Sequence, residues 1–388
     1  MPETHAKLSA SGSKRWLTCT PSASLESEFP DSTSDFAKEG TAAHELSELK
    51  LMKETEKINK RTFSIRYNKF KKGNEYYSQS MDDYTDEYVN FVLEAFHATP
   101  NAEISLEQRV DFSEWVPEGF GTSDVVITSE DVIEVIDLKY GKGVPVSAEN
   151  NPQAMLYALG AYHAYEMIYD FKRVKMTIVQ PRLESISTFE LPLSELLDWA
   201  ENFVKPRADM AMKGEGEFHP DPEACRFCRA KGVCRARAEK NLEIARYEFQ
   251  DGPLLSKEDI ADILSQATEI KKWLEQVQEY ALEQVRDHGE EIPGYKLVEG
   301  RSNRVITDKE KAASILEAEG FEEIFKPQEL KAMGVLEKLV GKAKFTDLLS
   351  DFIIKPTGKP VLVVESDKRE PVNGLASAQD DFAEDLLD

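Results

Sequence analysis

Two aspartates and a lysine carry the first chemical suggestion in this chain. In the run Val132-Ile133-Glu134-Val135-Ile136-Asp137-Leu138-Lys139, the two-residue period of a strand puts Asp137 and Lys139 on the same face. The preceding extended segment contributes Asp124, immediately after Gly121-Thr122-Ser123. Two carboxylates from adjacent strands can hold a hard divalent cation, Mg2+ or Mn2+, through oxygen. A lysine beside them can position and polarise an attacking water, so the set is equipped for metal-assisted phosphodiester hydrolysis. An Asp followed by Asp-x-Lys also arises by chance as a solvated strand end, and the surrounding residues must decide between the two.

Gln153 and Tyr157 stand four apart on the helix that follows Lys139 and therefore share a face that can reach the same site or its bound substrate. His44 and Glu48 are likewise four apart on an earlier helix, where the imidazole can complete a metal sphere or serve only as a structural histidine. The four cysteines form a second constellation. Cys225, Cys228 and Cys234 make a C-x2-C-x5-C cluster, and Cys19 lies 206 positions upstream. Four thiolates complete one metal or cluster site, and C-x2-C by itself is a common zinc half-site. Such a site staples the N-terminal segment to the region after Ala224. Arg226, Arg229, Lys231, Arg235 and Arg237 surround the triplet and could face phosphates.

The elements that must position these residues follow from periodicity. A Ser/Thr-rich opening of about 30 residues reads as a loop and a short helix. Ala42, Ala43, Leu46, Leu49 and Met52 recur at helical spacing over 36–54. A helix over about 75–98 leads to extended segments at 103–111, 123–128 and 132–139, the last two a hairpin about Ser129-Glu130-Asp131. Asn151-Pro152 opens a helix to about residue 169. Strands near 174–179 and 186–191 and a helix over about 193–213 follow. Beyond Gly252-Pro253 a helix starts at Ser256 and ends near Gly289, with apolar residues alternating by three and four. A hairpin over 294–307 and helices over 308–348 are expected after it. Residues 361–388 hold eight acids and two bases and read as a disordered, solubilising tail or a docking segment.

The balance of 48 Lys plus Arg against 72 Asp plus Glu, a formal charge of -24, argues against a protein that coats nucleic acid through bulk electrostatics. One stretch departs from it. Residues 57–72 hold seven Lys or Arg and no acid, with Phe63, Tyr67 and Phe70 interleaved, and are expected to contact DNA phosphates with the aromatics available for stacking. With 41% hydrophobic residues the chain can bury a real core, and the sequence carries no membrane-length apolar run, secretory signal or P-loop, so a cytoplasmic protein without a membrane partner or a motor is expected.

In order, Gly40-Thr41-Ala42-Ala43-His44 with Glu48, Gly121-Thr122-Ser123-Asp124, Ile136-Asp137-Leu138-Lys139-Tyr140, and Gln153-x3-Tyr157 resemble the motif set of RecB-type nucleases of the PD-(D/E)XK superfamily. Cys19 with the distal triplet is similar to the iron–sulfur branch that includes AddB-type and CRISPR-associated nucleases, and the whole to phage and prophage RecB-like exonucleases. The resemblance covers about residues 8–240. It implies an α/β, restriction-endonuclease-like PD-(D/E)XK core over 1–250 with an iron–sulfur staple, followed by a mainly helical α+β accessory domain over 255–360 and the acidic tail. It implies His44, Asp124, Asp137 and Leu138 at a Mg2+ or Mn2+ ion, Lys139 as the catalytic lysine, and Gln153 and Tyr157 in support. For Cys19, Cys225, Cys228 and Cys234 it favours a 4Fe-4S cluster over Zn2+. The activity implied is DNA hydrolysis in phage recombination or processing in the bacterial host cytosol, by an exonuclease, with a phage single-strand-binding or annealing protein as a further partner and an oligomer allowed. A structure-specific endonuclease and a non-catalytic DNA-binding protein on the same fold are the alternatives.

Overall fold

A computed structural model describes residues 6–30, 35–243, 255–298, 311 and 341–349. The fold is mixed α/β. Its centre is a five-stranded sheet in the order β1 (Glu103–Asp111), β2 (Phe120–Thr128), β3 (Val132–Leu138), β4 (Arg173–Gln180) and β5 (Ser185–Pro192). All pairings are antiparallel except β3 with β4, which run parallel and need the crossover through helix α6 (Pro152–Tyr165).

Strand alternation explains the layers. Val126, Ile133, Val135, Val174 and Met176 project into one apolar cluster with α6 and with Trp16 and Leu17 of α1 (Ser13–Thr18). Val125, Ile127, Ile136, Leu138 and Val179 project to the other side, against Leu51 of α3 (Asp35–Glu54) and Tyr88, Val89 and Val92 of α5 (Gln79–Ala98). Strands β2 and β3 are thus covered on both faces, which accounts for their nearly unbroken apolar runs. Asn151 caps α6 by accepting from the backbone of Gln153 and Ala154, with Pro152 at the first turn. The helix ends at Tyr165, short of the expected 169.

The expected helix over 193–213 is interrupted. It consists of α7 (Leu193–Trp199), a π turn (Ala200–Val204) and α8 (Lys205–Lys213). Pro206 has no amide hydrogen and its ring clashes with the carbonyl four residues back, so the chain widens just before it and Lys205 N–H reaches Ala200 O. The N-terminal segment is more ordered than expected, with α1 and then α2 (Ser22–Glu26). The basic stretch also differs. Helix α4 (Lys60–Gly73) buries Phe70 against Ala42, Ala43 and Leu46, and Tyr67 donates to Asp82 Oδ2 at 2.5 Å. Its helical period turns Phe70 into the core, while Phe63 and Tyr67 are half-buried and stack on each other.

Two short helices, α9 (Pro222–Arg226) and α10 (Arg235–Leu242), follow, and α11 (Lys257–Asp287) opens with the capping box of Ser256 and Asp259. The chain divides into two compact units, Met1–Val298 and Glu299–Asp388. The expected boundary near 250 falls outside the described residues, and α11 belongs to the first unit. In the second, helix α12 (Lys342–Leu349) is described and Phe345 is buried. Most of the expected hairpin over 294–307, nearly all of the helices over 308–348, and the acidic tail lie outside the described residues. No described helix is long and apolar enough to cross a membrane.

Candidate active site

Helix α3, strands β2 and β3 and helix α6 bring His44, Asp124, Asp137, Lys139, Gln153 and Tyr157 together. His44 Nδ1 lies 3.1 Å from Asp124 Oδ1. The other Asp124 oxygen accepts from the backbone N–H of Leu138 at 2.7 Å, which fixes the carboxylate across the β2–β3 pair. Lys139 Nζ lies 2.7 Å from Asp137 Oδ2 and donates to Gln153 Oε1 at 3.0 Å. Gln153 Nε2 in turn donates to Asp137 Oδ1 at 3.4 Å and to Tyr157 OH at 3.2 Å. Helical spacing on α6 thus delivers an amide that spans both members of the Asp-x-Lys pair. Gly121 makes room for it, since a Cβ there would sit 2.7 Å from the Tyr157 ring.

The environments push the two aspartates apart. Burial favours the neutral form of Asp124, but the charge and hydrogen bond of His44 and the Leu138 amide outweigh it and hold the carboxyl below its ordinary range. Burial dominates at Asp137, which is 4% exposed, and with repulsion from Asp124 it raises that carboxyl despite Lys139. For His44, burial lowers basicity, yet Asp124 and then Asp137 prevail and lift the imidazole to about 9. Burial, followed by the charge of Asp137, raises the Tyr157 phenol and keeps it protonated.

The residues fit a cation. Asp137 Oδ2 is buried and has the ammonium of Lys139 at 2.7 Å, with no well-directed hydrogen bond, so the carboxylate is available to a cation beside that ion pair. A nitrogen of His44 and carboxylate oxygens of Glu107 and Asp124 all lie within 4.8 Å of one another. That group links Asp124 with Glu107 and His44 rather than with Asp137. Glu107 escapes a sequence reading, because nothing in its spacing distinguishes it from other acids of β1. Leu138 has its side chain in the core and its N–H on Asp124, leaving its carbonyl oxygen as the atom it can offer a cation. Glu48 is set apart from the site and lines a groove with Arg66 and Lys69 of α4.

Two further residues beyond the sequence reading shape the loop between Lys139 and Gln153. Gln180, 1% exposed, donates to Val144 O at 3.0 Å and accepts from Val146 N–H at 2.7 Å. Arg182 lies over the Tyr140 ring, 4.8 Å from its centroid, and donates to Glu39 at 2.9 Å.

The four cysteines, all reduced, line one cavity. Cys19 ends α1, Cys225 lies in α9, Cys228 in the turn after it, and Cys234 caps α10. Backbone N–H groups of His219 and Asp221 donate to the sulfurs of Cys19 and Cys225, each at 3.4 Å. Burial raises the thiols of Cys19, Cys225 and Cys228, the last to about 12. Polar contacts also join the two ends of this staple: Glu26 accepts from Arg15 Nε at 3.0 Å and from Arg229 N–H at 2.9 Å. Of the basic residues around the triplet, Arg237 is buried in an ion pair with Glu269 of α11, and Arg229 donates to Phe29 O. Both are committed internally, whereas Arg226 and Arg235 are exposed.

A solved structure titled "Crystal structure of SSO0001" is similar at 14% identity over 58% of this chain and 96% of that one, with a TM-score of 0.22, an overlap too low to bear on fold or function. Residues 5–370 match the family described as "Protein of unknown function (DUF2800)", and the chain belongs to that family.

Proposed function

We propose that this chain is a Mg2+- or Mn2+-dependent DNA nuclease of the RecB type, with a PD-(D/E)XK core, acting as an exonuclease. The observation that carries the reading is the polar chain Asp137–Lys139–Gln153–Tyr157 beside the His44–Asp124 pair, assembled from four elements where β3 ends beside the middle of β2. Asp124, Asp137, His44 and the Leu138 carbonyl would hold the cation. When bound, a hard divalent cation supplies Lewis-acid activation of the phosphodiester. Lys139 places a positive charge where charge develops on the reacting phosphate and can orient the attacking water. Gln153 keeps that ammonium on station through Oε1 while its amide hydrogens restrain Asp137 and Tyr157. Leu138 N–H and His44 hold Asp124 ionised and oriented.

The four thiols are proposed to hold a 4Fe-4S cluster. Zn2+ on the four thiolates is the alternative; a distant Cys19 joined to a C-x2-C-x5-C triplet around one cavity is the arrangement of the iron–sulfur branch that the sequence resembles. N–H donation to sulfur is a further feature that such clusters use. Iron and inorganic sulfide in anaerobically purified protein support this assignment; zinc without sulfide replaces it.

The activity is tested on linear DNA with free or blocked ends in Mg2+ or Mn2+. Cleavage that requires a free end supports the exonuclease, cleavage of blocked or circular DNA converts the reading to an endonuclease, and binding without cleavage leaves a non-catalytic DNA-binding protein.

A further inference from the structure

Six non-glycine residues have positive φ among the described residues. Five of them, Glu56, Asn101, Glu118, Asn150 and Glu184, lie in turns, where that conformation closes a bend. The sixth is Glu107, with φ of 45°, in the middle of β1. A left-handed residue bearing a Cβ is costly inside a strand and persists only where its surroundings hold it there. The register shows where it stands. Leu106 pairs with Val125 and Gln108 with Ser123, so Glu107 is level with Asp124 on the neighbouring strand. Across the site, His44 Nδ1 is 3.1 Å from Asp124, and ligand atoms of all three residues gather within 4.8 Å. Asp137, 4% exposed and with a buried oxygen lacking a hydrogen bond, faces the same site from β3 but is outside that group.

We propose that Glu107 is a cation ligand, forming with His44 and Asp124 a divalent-cation locus separate from the position offered by Asp137. Asp124 is then shared between two cation positions. One imidazole nitrogen among carboxylate oxygens makes Mn2+ a suitable probe. This inference rests on the cation-binding part of the nuclease reading and not on DNA cleavage.

Mn2+ binding to the full chain, followed by calorimetry and by the paramagnetic signal of free Mn2+, tests it with no reliance on activity. Wild-type protein is expected to bind two ions. Glu107→Gln should lose one of them, or bind it at least about ten-fold more weakly, while Asp137→Asn keeps that ion and loses the other. Should Glu107→Gln fail to fold, Glu107→Gly decides: glycine adopts the same φ without strain, so this variant should melt no lower than wild type in the absence of cation and still lose the ion. Unchanged Mn2+ binding by the Glu107 variants overturns the inference and leaves the nuclease reading standing. A single ion lost equally from Glu107→Gln and Asp137→Asn overturns the separate locus. No Mn2+ binding by the wild-type chain overturns both.

Discussion

The acidic site and the four-cysteine cavity each unite residues from distant parts of the chain, but with different support. Asp124 and Asp137 stand on strands buried on both faces, His44 on a helix of 20 residues, and Gln153 on a helix sealed into the main apolar cluster. Each fully buried Leu, Ile or Val in those layers contributes about 1.5–3 kcal/mol, so the geometry exists before a cation arrives. The cysteines stand on helices of six, five and eight residues and the turns between them, lengths at which helices are marginal without outside support. The proposed cation would therefore meet a prepared site, while the proposed ligand of the four thiols would help to make its own.

The sharpest break in that comparison is at Asp137. Asp137→Asn should lower DNA cleavage by at least about 1,000-fold, since several kcal/mol of transition-state stabilisation go with the cation. Its fold should not suffer. The Asp137 carboxyl is raised in the folded chain, so above its unfolded range the charge subtracts from stability, and the amide removes that burden. A melting temperature at pH 7 well below wild type, measured without added cation, would contradict the preformed site.

Cys228→Ser should behave in the opposite manner. Losing a ligand that binds only the folded state should lower the melting temperature by about 5–10 °C. New protease cuts should appear together in 13–26 and 222–242, whereas Asp137→Asn should keep its bound iron. Cuts confined to one of the two segments would show that Glu26 and its arginine partners, not the thiols, join them.

A smaller effect separates the two sites by pH. His44 is raised from 6.5 to about 9, so in cation-free protein its pair with Asp124 stabilises fully below about pH 6.5 and is lost as pH rises through 9. Thermal melts from pH 6 to pH 10 should show this decline, and His44→Gln should flatten it. Cation affinity should rise over the same interval, because the ion must displace the His44 proton. An affinity independent of pH would remove His44 from the ligand set.

The smallest effect concerns α4. The cations of α4 are exposed, and one of them, Lys71, also lies over the rings of Tyr67 and Tyr77. Neutralising Arg61, Lys69 and Lys72 should weaken DNA binding and reduce its salt slope by about 0.9 for each phosphate that is no longer neutralised. Equal slopes would leave α4 a solvated face of an acidic protein.

Much of this protein is written in local pattern. Alternation marks β1, β2 and β3 and puts Asp137 and Lys139 on one side; four-residue spacing pairs Gln153 with Tyr157; Asn151-Pro152 starts α6 where expected. The wide turn before Pro206 and the burial of Phe70 on α4 are also local, but they depend on which carbonyl a missing N–H releases and which face has a neighbour to pack on. Other features have no local sign. The Leu138 amide that orients Asp124, Gln180 clamping the loop after Lys139, and Arg237 withdrawn to Glu269 join groups 14, 36 and 32 residues apart in the chain. Glu107 shows the limit most plainly. Its residue type suits any exposed strand position, and only the β1–β2 register and a left-handed backbone, both fixed by packing of the sheet between its helices, bring it level with Asp124. Sequence determines which groups are present and which elements carry them, because those depend on neighbours a few residues away. Tertiary structure decides which of those groups share a site, because that depends on how the elements close on one another.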